Sequence, residues 1–314
     1  MSAGAAPDAA QPADQLIVTA RNRLSAVGIE TPGTDARLLL AHVLGLSHKE
    51  LSLQLLRGFD VPAEQAAEYE QILQRRLARI PLQHLTGRVG FRHLELQVGP
   101  GVFIPRPETE LLLEPALSRA AALRATGQHE GNGQPRRLRI LDMCTGSAAL
   151  ALAAATEIPG SEVHAVELSA EALSWAQRNL DATAEAVAAA GSTLTLHAGD
   201  IAEVVPALGS FDFVLSNPPY VPQNRPPETE EVTGYDPQLA LYGGSADGMA
   251  IPAQVISLAA AALNAGGLLC IEHDETQGPA IVQACREAGM RSAHTHSDYT
   301  GRDRFTTAER REGP

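Results

Sequence analysis

Beyond residue 137 the chain alternates between short apolar runs and longer amphipathic segments. The apolar runs have the length and composition of strands that are buried on both faces, whereas the amphipathic segments have helical spacing. This alternation predicts an α/β fold with a mostly parallel sheet and helices on both faces. The predicted strands are residues 138–143, 162–168, 194–197, 211–215 and 267–272, followed by an antiparallel edge at 292–297 and 304–308. The predicted helices are residues 148–156, 170–190, 251–263 and 279–288.

The fourth predicted strand runs directly into Asn217, Pro218, Pro219 and Tyr220. Consecutive prolines cannot continue a central strand, so a stiff loop is expected at the carboxyl end of the sheet, where open α/β folds bind ligands. The Asn217 side chain and the Pro218 carbonyl are acceptors that can hold both N–H groups of a planar NH2, while Tyr220 stacks on its face. We therefore predict Asn217, Pro218 and Tyr220 as catalytic, and these three with Pro219 as substrate-binding. Taken alone, the loop is equally compatible with a proline-stiffened turn that binds nothing.

A turn of small residues follows the first predicted strand, where a helix begins. Such a turn lets a ligand approach the backbone and a helix N-terminus. Glu167 closes the second strand twenty-one residues after Gly146, which is the usual place for a carboxylate that binds ribose hydroxyls. Asp200 follows the third strand and is a candidate for the adenine edge. A nicotinamide cofactor is disfavoured because Cys144 and Ala149 stand at the first and third glycine positions of its fingerprint, where only Gly146 matches. S-adenosylmethionine fits this pattern better.

The first third of the chain has a different character. Residues 1–13 are rich in alanine and proline and are predicted to be disordered. Residues 14–87 read as a small domain of four or five helices, with a capping box at Ser47 and Glu50. Residues 88–104 are predicted to be a β-hairpin linker in which 94–98 pair with 102–104 across a Gly-Pro-Gly turn. The catalytic domain then covers 105–314, with a polar, mobile loop at 126–136.

Composition excludes several classes of protein. The net charge of −13 argues against a protein that mainly grips a phosphate backbone. The three cysteines form no Cys-x-x-Cys pair, so we expect a reducing compartment and no zinc site. His294 and His296 have no suitable partner ligands, and no metal site is expected there. The sequence lacks a long apolar run and a secretory leader, which predicts a cytoplasmic protein without membrane contact.

These motifs together resemble the release-factor glutamine N5-methyltransferases of the HemK/PrmC family, which are class I S-adenosylmethionine-dependent enzymes. The Asn-Pro-Pro-Tyr loop is shared with DNA adenine and rRNA guanine methyltransferases, so the more particular segments carry the resemblance. The segments that match are Pro81 to Gly87, Phe103 to Glu110, the Asp142 to Ala148 turn, Asn217 to Tyr220 and Gly301 to Phe305.

The resemblance implies a Rossmann-like seven-stranded methyltransferase sheet, and a helical N-terminal domain that helps to bind a protein substrate. It further implies that the segment around Arg106 and Glu110 closes over the pocket. The implied substrate is the glutamine of the Gly-Gly-Gln loop of class I peptide-chain release factors, methylated by a monomer without nucleic acid. S-adenosylhomocysteine would be the product. The predicted cofactor site comprises Cys144, Thr145, Gly146, Ser147, Ala148, Glu167, Asp200, Ile201 and Asn217.

Two departures from the family pattern concern the turn, which usually reads Gly-Thr-Gly-Ser-Gly. Cys144 replaces the first glycine and Ala148 the third, so Cys144 must tolerate the required φ. Two other functions stay open at this point. A nucleic-acid amino-methyltransferase would also explain the proline loop, but this alternative assigns no function to residues 15–80. A catalytically silent cofactor-binding module would explain the altered turn, but leaves the acceptor loop unused.

Overall fold

The computed structural model describes residues 10–125, 136–227 and 229–311. The chain divides into two units, Met1–Arg88 and Val89–Pro314. Residues 1–9 of the predicted tail and 126–135 of the predicted loop lie outside the described residues. Within the described ranges, no helix has both the length and the apolar character needed to span a membrane.

Within its described residues, the first unit is a bundle of five helices, as the helical spacing predicts. The helices are α1 (Ala13–Ala26), α2 (Pro32–Val43), α3 (His48–Arg57), α4 (Ala63–Leu77) and α5 (Leu82–Thr86). The predicted capping box is present at the start of α3. The Ser47 hydroxyl accepts from the Glu50 N–H, and the Glu50 carboxylate accepts from the Ser47 N–H at 2.8 Å. This reciprocal pair satisfies two donors at the helix N-terminus.

The prediction of a disordered tail is wrong for residues 11–13. Strand β1 (Gln11–Pro12) pairs antiparallel with β2 (Asp60–Val61), and the Ala13 N–H donates to the Phe59 carbonyl at 3.1 Å. Ala13 itself is 1% exposed and packs in the core of the bundle. Composition could not predict this pairing. A strand of two residues in a segment rich in alanine and proline is too short to show alternating apolar and polar residues.

The second unit is built on a sheet that has seven strands in its described part, ordered β10-β11-β9-β8-β5-β6-β7. The parallel strands are β5 (Arg139–Met143), β6 (Glu162–Glu167), β7 (Thr193–Ala198), β8 (Phe211–Ser216) and β9 (Leu263–Glu272). An antiparallel edge completes the sheet with β10 (Arg291–Ser297) and β11 (Asp303–Glu309). All seven strands lie where the sequence predicts them, within a few residues at their ends.

Helices cover both faces of this sheet, because its central strands are apolar on both sides. In β8, Phe213 and Leu215 pack in the core on one face, whereas Val214 packs in the core on the other. The main helices are α6 (Glu114–Ala125), α7 (Ala149–Glu157), α8 (Ala170–Ala189), α9 (Ile201–Val204), α10 (Glu230–Tyr235), α11 (Gln238–Leu241), α12 (Ala250–Ala262) and α13 (Gly278–Glu287). Short 3₁₀ turns occupy Pro107–Leu113 and Val205–Ala207.

The predicted hairpin exists, but its strand pairing differs from the prediction. Strands β3 (Arg88–Phe91) and β4 (Leu94–Gln97) pair with each other, so residues 94–97 do not pair with 102–104. The turn is made by Arg92, whose φ is +53°, and His93. Ion pairs from Arg92 to Glu114 and Glu157 fix this turn in place. Arginine is not a typical left-handed turn residue, so no local sequence signal predicts a turn at Arg92.

Candidate active site

The topological switch point of the sheet lies between β5 and β8, because the chain adds β6 and β7 on one side of β5 and β8 on the other. The ends of these strands are adjacent in register, with Met143 opposite Ser216. The Ser216 hydroxyl donates to the Met143 carbonyl at 2.8 Å and ties the two strand ends together. A cavity of about 340 Å³ opens at this point. Open α/β sheets bind their ligands in such crevices.

Most of the predicted site residues line this cavity. They are Cys144, Thr145, Gly146, Ser147, Glu167, Asp200, Ile201, Asn217, Pro219 and Tyr220. Two predicted residues are not among the lining residues. Ala148 is fully buried in the core, and it precedes α7 in a left-handed conformation. Pro218 is also buried and does not line the cavity, so the predicted contact through its carbonyl stays a prediction.

The turn between β5 and α7 is held by Asp142, the fourth residue of β5. One oxygen of this carboxylate, Oδ2, accepts from the Thr145 hydroxyl at 2.5 Å and from the Ala151 N–H at 3.2 Å. The other oxygen, Oδ1, is buried and has no hydrogen-bond partner among the described residues. Burial raises the pKa of Asp142 to about 7, against the opposing hydrogen bonds. Asp142 lines the cavity, so Oδ1 is a spare acceptor for a positively charged ligand group.

Glu167 ends β6 and lies against the same turn. Its Oε2 accepts from the Gly146 N–H at 2.7 Å, and its Oε1 accepts from the Ser169 N–H at 2.8 Å. Desolvation raises the pKa of this carboxyl, while these backbone hydrogen bonds act in the opposite direction. An ionised carboxylate has about four acceptor positions, so both oxygens can still accept from a vicinal diol.

Asp200 and Ile201 line the cavity at the carboxyl end of β7. Asp200 caps the short helix α9, since its Oδ1 accepts from the Ala202 N–H at 2.8 Å. Ile201 is buried and lines the cavity beside it. This pair offers one carboxylate oxygen and one apolar surface, which suits the edge and face of a flat heterocycle.

The Asn217 to Tyr220 loop is fixed by hydrogen bonds at both of its ends. The Asn217 Nδ2 donates to the Thr109 hydroxyl at 3.1 Å. The Tyr220 carbonyl accepts from the Gln277 side chain at 2.9 Å, and the Tyr220 hydroxyl donates to Glu272 at 3.2 Å. The amide nitrogen of Asn217 is thereby engaged, which leaves its carbonyl oxygen as the acceptor for a ligand.

Known proteins resemble this chain over nearly its whole length. Residues 15–87 match the family model of the PrmC N-terminal domain, and residues 131–231 match that of the methyltransferase small domain. The release factor glutamine methyltransferase of Bifidobacterium longum is 42% identical over 297 residues, which cover 93% of this chain and 98% of the relative. This chain belongs to the release factor glutamine methyltransferase family.

The resemblance found in the sequence motifs is thus confirmed. A second release factor glutamine methyltransferase, from Streptomyces coelicolor, is 40% identical over 300 residues, covering 94% of this chain and 96% of the relative. Among solved structures, a methyltransferase from Pyrococcus furiosus is 18% identical, with a TM-score of 0.46 over 78% of this chain and 99% of that chain.

In this member of the release factor glutamine methyltransferase family, the segment around Arg106 and Glu110 was expected to close over the pocket. Only its Arg106 end supports the cavity wall. Arg106 pairs with the buried Asp236 at 2.5 Å, and its guanidinium lies 5.0 Å from the centre of the Phe103 ring. Phe103 lines the cavity, so this ion pair supports one wall. Glu110 does not line the cavity and instead accepts from the Arg92 N–H at 2.9 Å.

Sequence reasoning missed three residues that support the acceptor loop: Thr109, Glu272 and Gln277. One signal was available for Glu272, because it ends the fifth predicted strand just as Glu167 ends the second. The carboxyl end of every parallel strand in such a sheet faces the site. Thr109 and Gln277 had no comparable signal, since their contacts depend on how separate segments pack.

Proposed function

We propose that this enzyme transfers the methyl group of S-adenosylmethionine to the side-chain amide nitrogen (N5) of the glutamine in the Gly-Gly-Gln loop of class I peptide-chain release factors. The observation that carries the proposal is the fixed Asn217 to Tyr220 loop at the switch point of the sheet. Membership of the family supplies the choice of glutamine. Release factors act at ribosomes, so we propose that the enzyme is cytoplasmic. We also propose that it acts as a monomer.

The residues around the turn fit S-adenosylmethionine. Glu167 would accept from the two ribose hydroxyls, and Asp200 with Ile201 would hold the adenine. The buried Oδ1 of Asp142 is the spare acceptor that an ammonium group at the methionine end requires. Cys144 remains compatible with this end of the pocket, because burial raises the pKa of its thiol and keeps it neutral.

The acceptor loop would hold the substrate amide through its two N–H groups. The Asn217 Oδ1 accepts one N–H and the Pro218 carbonyl accepts the other, while the Tyr220 ring covers the amide plane. Bound S-adenosylmethionine supplies an electrophilic methyl group on a sulfonium and leaves as S-adenosylhomocysteine. Holding a weakly nucleophilic nitrogen in line with that methyl group is mainly a positioning effect. The nitrogen releases its extra proton to water after the transfer.

The helical domain, residues 14–87, would bind the release factor away from the reacting atoms. Two observations support this role. The domain matches the PrmC N-terminal family model, and its helix α3 exposes Leu53 and Leu56 to solvent. Exposed large apolar residues that lie together are typical of protein-binding surfaces.

A nucleic-acid amino-methyltransferase is the alternative, because a base NH2 is also planar and would suit the same loop. The net charge of −13 disfavours it, since binding to nucleic acid depends on neutralising phosphates.

The test is to incubate the enzyme with methyl-labelled S-adenosylmethionine and, separately, a release factor, rRNA or DNA. The proposal predicts label only in the release factor, and none when its Gly-Gly-Gln glutamine is changed to alanine. Asn217→Ala should lower turnover by about 10²-fold, as a misplaced reactive group does. Label in rRNA or DNA, or in the alanine-substituted release factor at the wild-type rate, would contradict the proposal.

A further inference from the structure

Gln277 is a buried side chain that joins two segments of the chain behind the active site. It lies at the start of α13 and is 5% exposed. Its Nε2 donates to the Tyr220 carbonyl and to the Asp247 carbonyl, each at 2.9 Å, and its Oε1 accepts from the Asp274 N–H at 3.0 Å. Tyr220 ends the acceptor loop, whereas Asp247 belongs to a glycine-rich segment, residues 243–248, that follows α11. Both segments contribute to the lining of the cavity.

The orientation of the Gln277 carboxamide follows from the backbone groups around it. A backbone carbonyl only accepts a hydrogen bond, and a backbone N–H only donates one. The NH2 group of Gln277 must therefore face the two carbonyls, and its oxygen must face the Asp274 N–H. Both hydrogens of the NH2 group are used, one for each segment.

The two segments that Gln277 joins also pack closely against each other. The Val221 carbonyl, next to the acceptor loop, accepts from the Gly243 N–H at 3.1 Å. A Cβ added at Gly248 would lie 2.1 Å from the Tyr220 carbonyl oxygen and 2.9 Å from the Gln277 Nε2. Glycine at position 248 thus lets the glycine-rich segment approach the same oxygen that Gln277 binds.

Helix capping does not account for the Gln277 side chain. The residue occupies the N-cap position of α13, where a side chain typically accepts from an N–H of the first turn. Within the described part of the chain, the Gln277 side chain makes no such hydrogen bond. Its three hydrogen bonds all go to backbone groups outside α13.

We infer that Gln277 is a positioning residue for the methyl transfer, which fixes the Tyr220 carbonyl and thereby the acceptor loop before the substrate amide binds. The rings of Pro218 and Pro219 already fix two φ angles of this loop. The Tyr220 hydroxyl is held separately, since it donates to Glu272 at 3.2 Å. Gln277 fixes the peptide group that follows the ring. The inference rests on the proposed function, because the position of the loop affects the rate only if the loop holds the reacting amide.

The test measures kcat at pH 8 in Gln277→Met and Gln277→Glu, divided by the number of S-adenosylmethionine sites that calorimetry counts. This division removes the effect of any unfolded enzyme. Methionine keeps the length of the side chain and removes both donors, whereas an ionised glutamate also turns negative charge toward the two carbonyls. Each variant should lower kcat per site by at least about tenfold, as a misplaced reactive group does, and Gln277→Glu should be the slower.

The loss should be confined to the chemical step. The KM for the release factor and the affinity for S-adenosylmethionine should each stay within about twofold in both variants. The same fold-loss of kcat should appear with a short Gly-Gly-Gln peptide, because the peptide uses the acceptor loop without the rest of the release factor.

Ser192→Ala is the matched control, because Ser192 is also a buried polar side chain that joins backbone segments. Its Oγ accepts from the Ser161 N–H at 3.1 Å and donates to the Ile158 carbonyl at 3.4 Å. Ser161 directly precedes β6, so these contacts lie at the end of the sheet opposite the cavity. The control should lower Tm, because it leaves buried backbone groups without partners, and it should leave kcat per site unchanged.

Three results would overturn the inference. They are an unchanged kcat per site in Gln277→Met, a loss that weaker cofactor binding explains, and an equal loss in Ser192→Ala. Failure of the proposed function is distinguishable, because the wild-type enzyme would then not label the release factor at all.

Discussion

Alternate residues of the turn after β5 adopt the left-handed conformation: Cys144 at φ +62°, Gly146 at +59° and Ala148 at +65°. For residues other than glycine this costs on the order of 1–2 kcal/mol each. The sequence showed that Cys144 must tolerate a positive φ, and the structure confirms that it does. The turn keeps its shape because Asp142 binds the Thr145 hydroxyl and the Ala151 N–H within it.

Glu167 is the residue whose removal should most affect cofactor binding. Glu167→Ala removes the acceptor for two ribose hydroxyls, and hydrogen bonds to a charged group contribute roughly 1.5–3 kcal/mol. Isothermal calorimetry should show affinity for S-adenosylmethionine falling by at least about tenfold. Glu162→Ala, at the other end of β6, is the matched control and should bind normally. Equal affinity of Glu167→Ala and the wild type would remove Glu167 from the site.

The stability of the protein should also respond to Glu272 in a pH-dependent way. Burial raises the pKa of this carboxyl from 4.5 to about 7, so the folded state binds its proton more tightly than the unfolded state. The cost of the charge therefore appears as pH rises above about 4.5 and is complete above about 7. Glu272→Gln should raise the free energy of unfolding at pH 8 by up to about 3 kcal/mol, and by much less at pH 5. Urea denaturation at both pH values measures this; a larger gain at pH 5 would refute it.

The sequence predicted those secondary-structure elements that follow a repeating pattern of apolar residues. Apolar runs located the strands, and the strand-end rule located Glu167, Asp200 and the proline loop. It failed where one contact between distant segments decides the structure. The hairpin turn depends on the ion pairs of Arg92, and the support of Asn217 depends on Thr109, 108 residues away in sequence. Neither contact leaves a local pattern, because each is made only when the segments have packed.

The Gly-Pro-Gly segment does not form the predicted hairpin turn and instead packs against α8. A Cβ added at Gly99 would lie 2.5 Å from the Trp175 ring, whereas one at Gly90 would meet nothing within 4 Å. Gly99→Ala should therefore cost about 1–3 kcal/mol of unfolding free energy, as overpacking does. Gly90→Ala has no positive φ or close neighbour, so it should change stability by about 0.5 kcal/mol or less. Chemical denaturation would contradict this if the two variants were equally stable.

The whole molecule combines a catalytic sheet with a helical unit that we assign to substrate binding. Leu53 and Leu56 lie one turn apart on α3 and are 52% and 85% exposed. Changing both to serine should raise KM for the release factor by at least about fivefold, because the few residues that dominate an interface each cost more than about 1 kcal/mol when truncated.

Turnover of a short Gly-Gly-Gln peptide and binding of S-adenosylmethionine should not change in that variant. Val18→Ser is the matched control, since Val18 is a 46% exposed apolar residue on α1 of the same unit. An unchanged KM for the release factor, or an equal rise in the control, would show that α3 is not part of the binding surface.

We infer that the proline loop presents a glutamine amide to the cofactor's methyl group. The most direct test of this inference is tandem mass spectrometry of a release factor that has been incubated with the enzyme and S-adenosylmethionine. We expect one added methyl group on the side chain of the Gly-Gly-Gln glutamine, and its loss when Asn217→Ala replaces the wild-type enzyme. A methyl group on any other residue of the release factor, or none in the presence of active cofactor-bound enzyme, would contradict it.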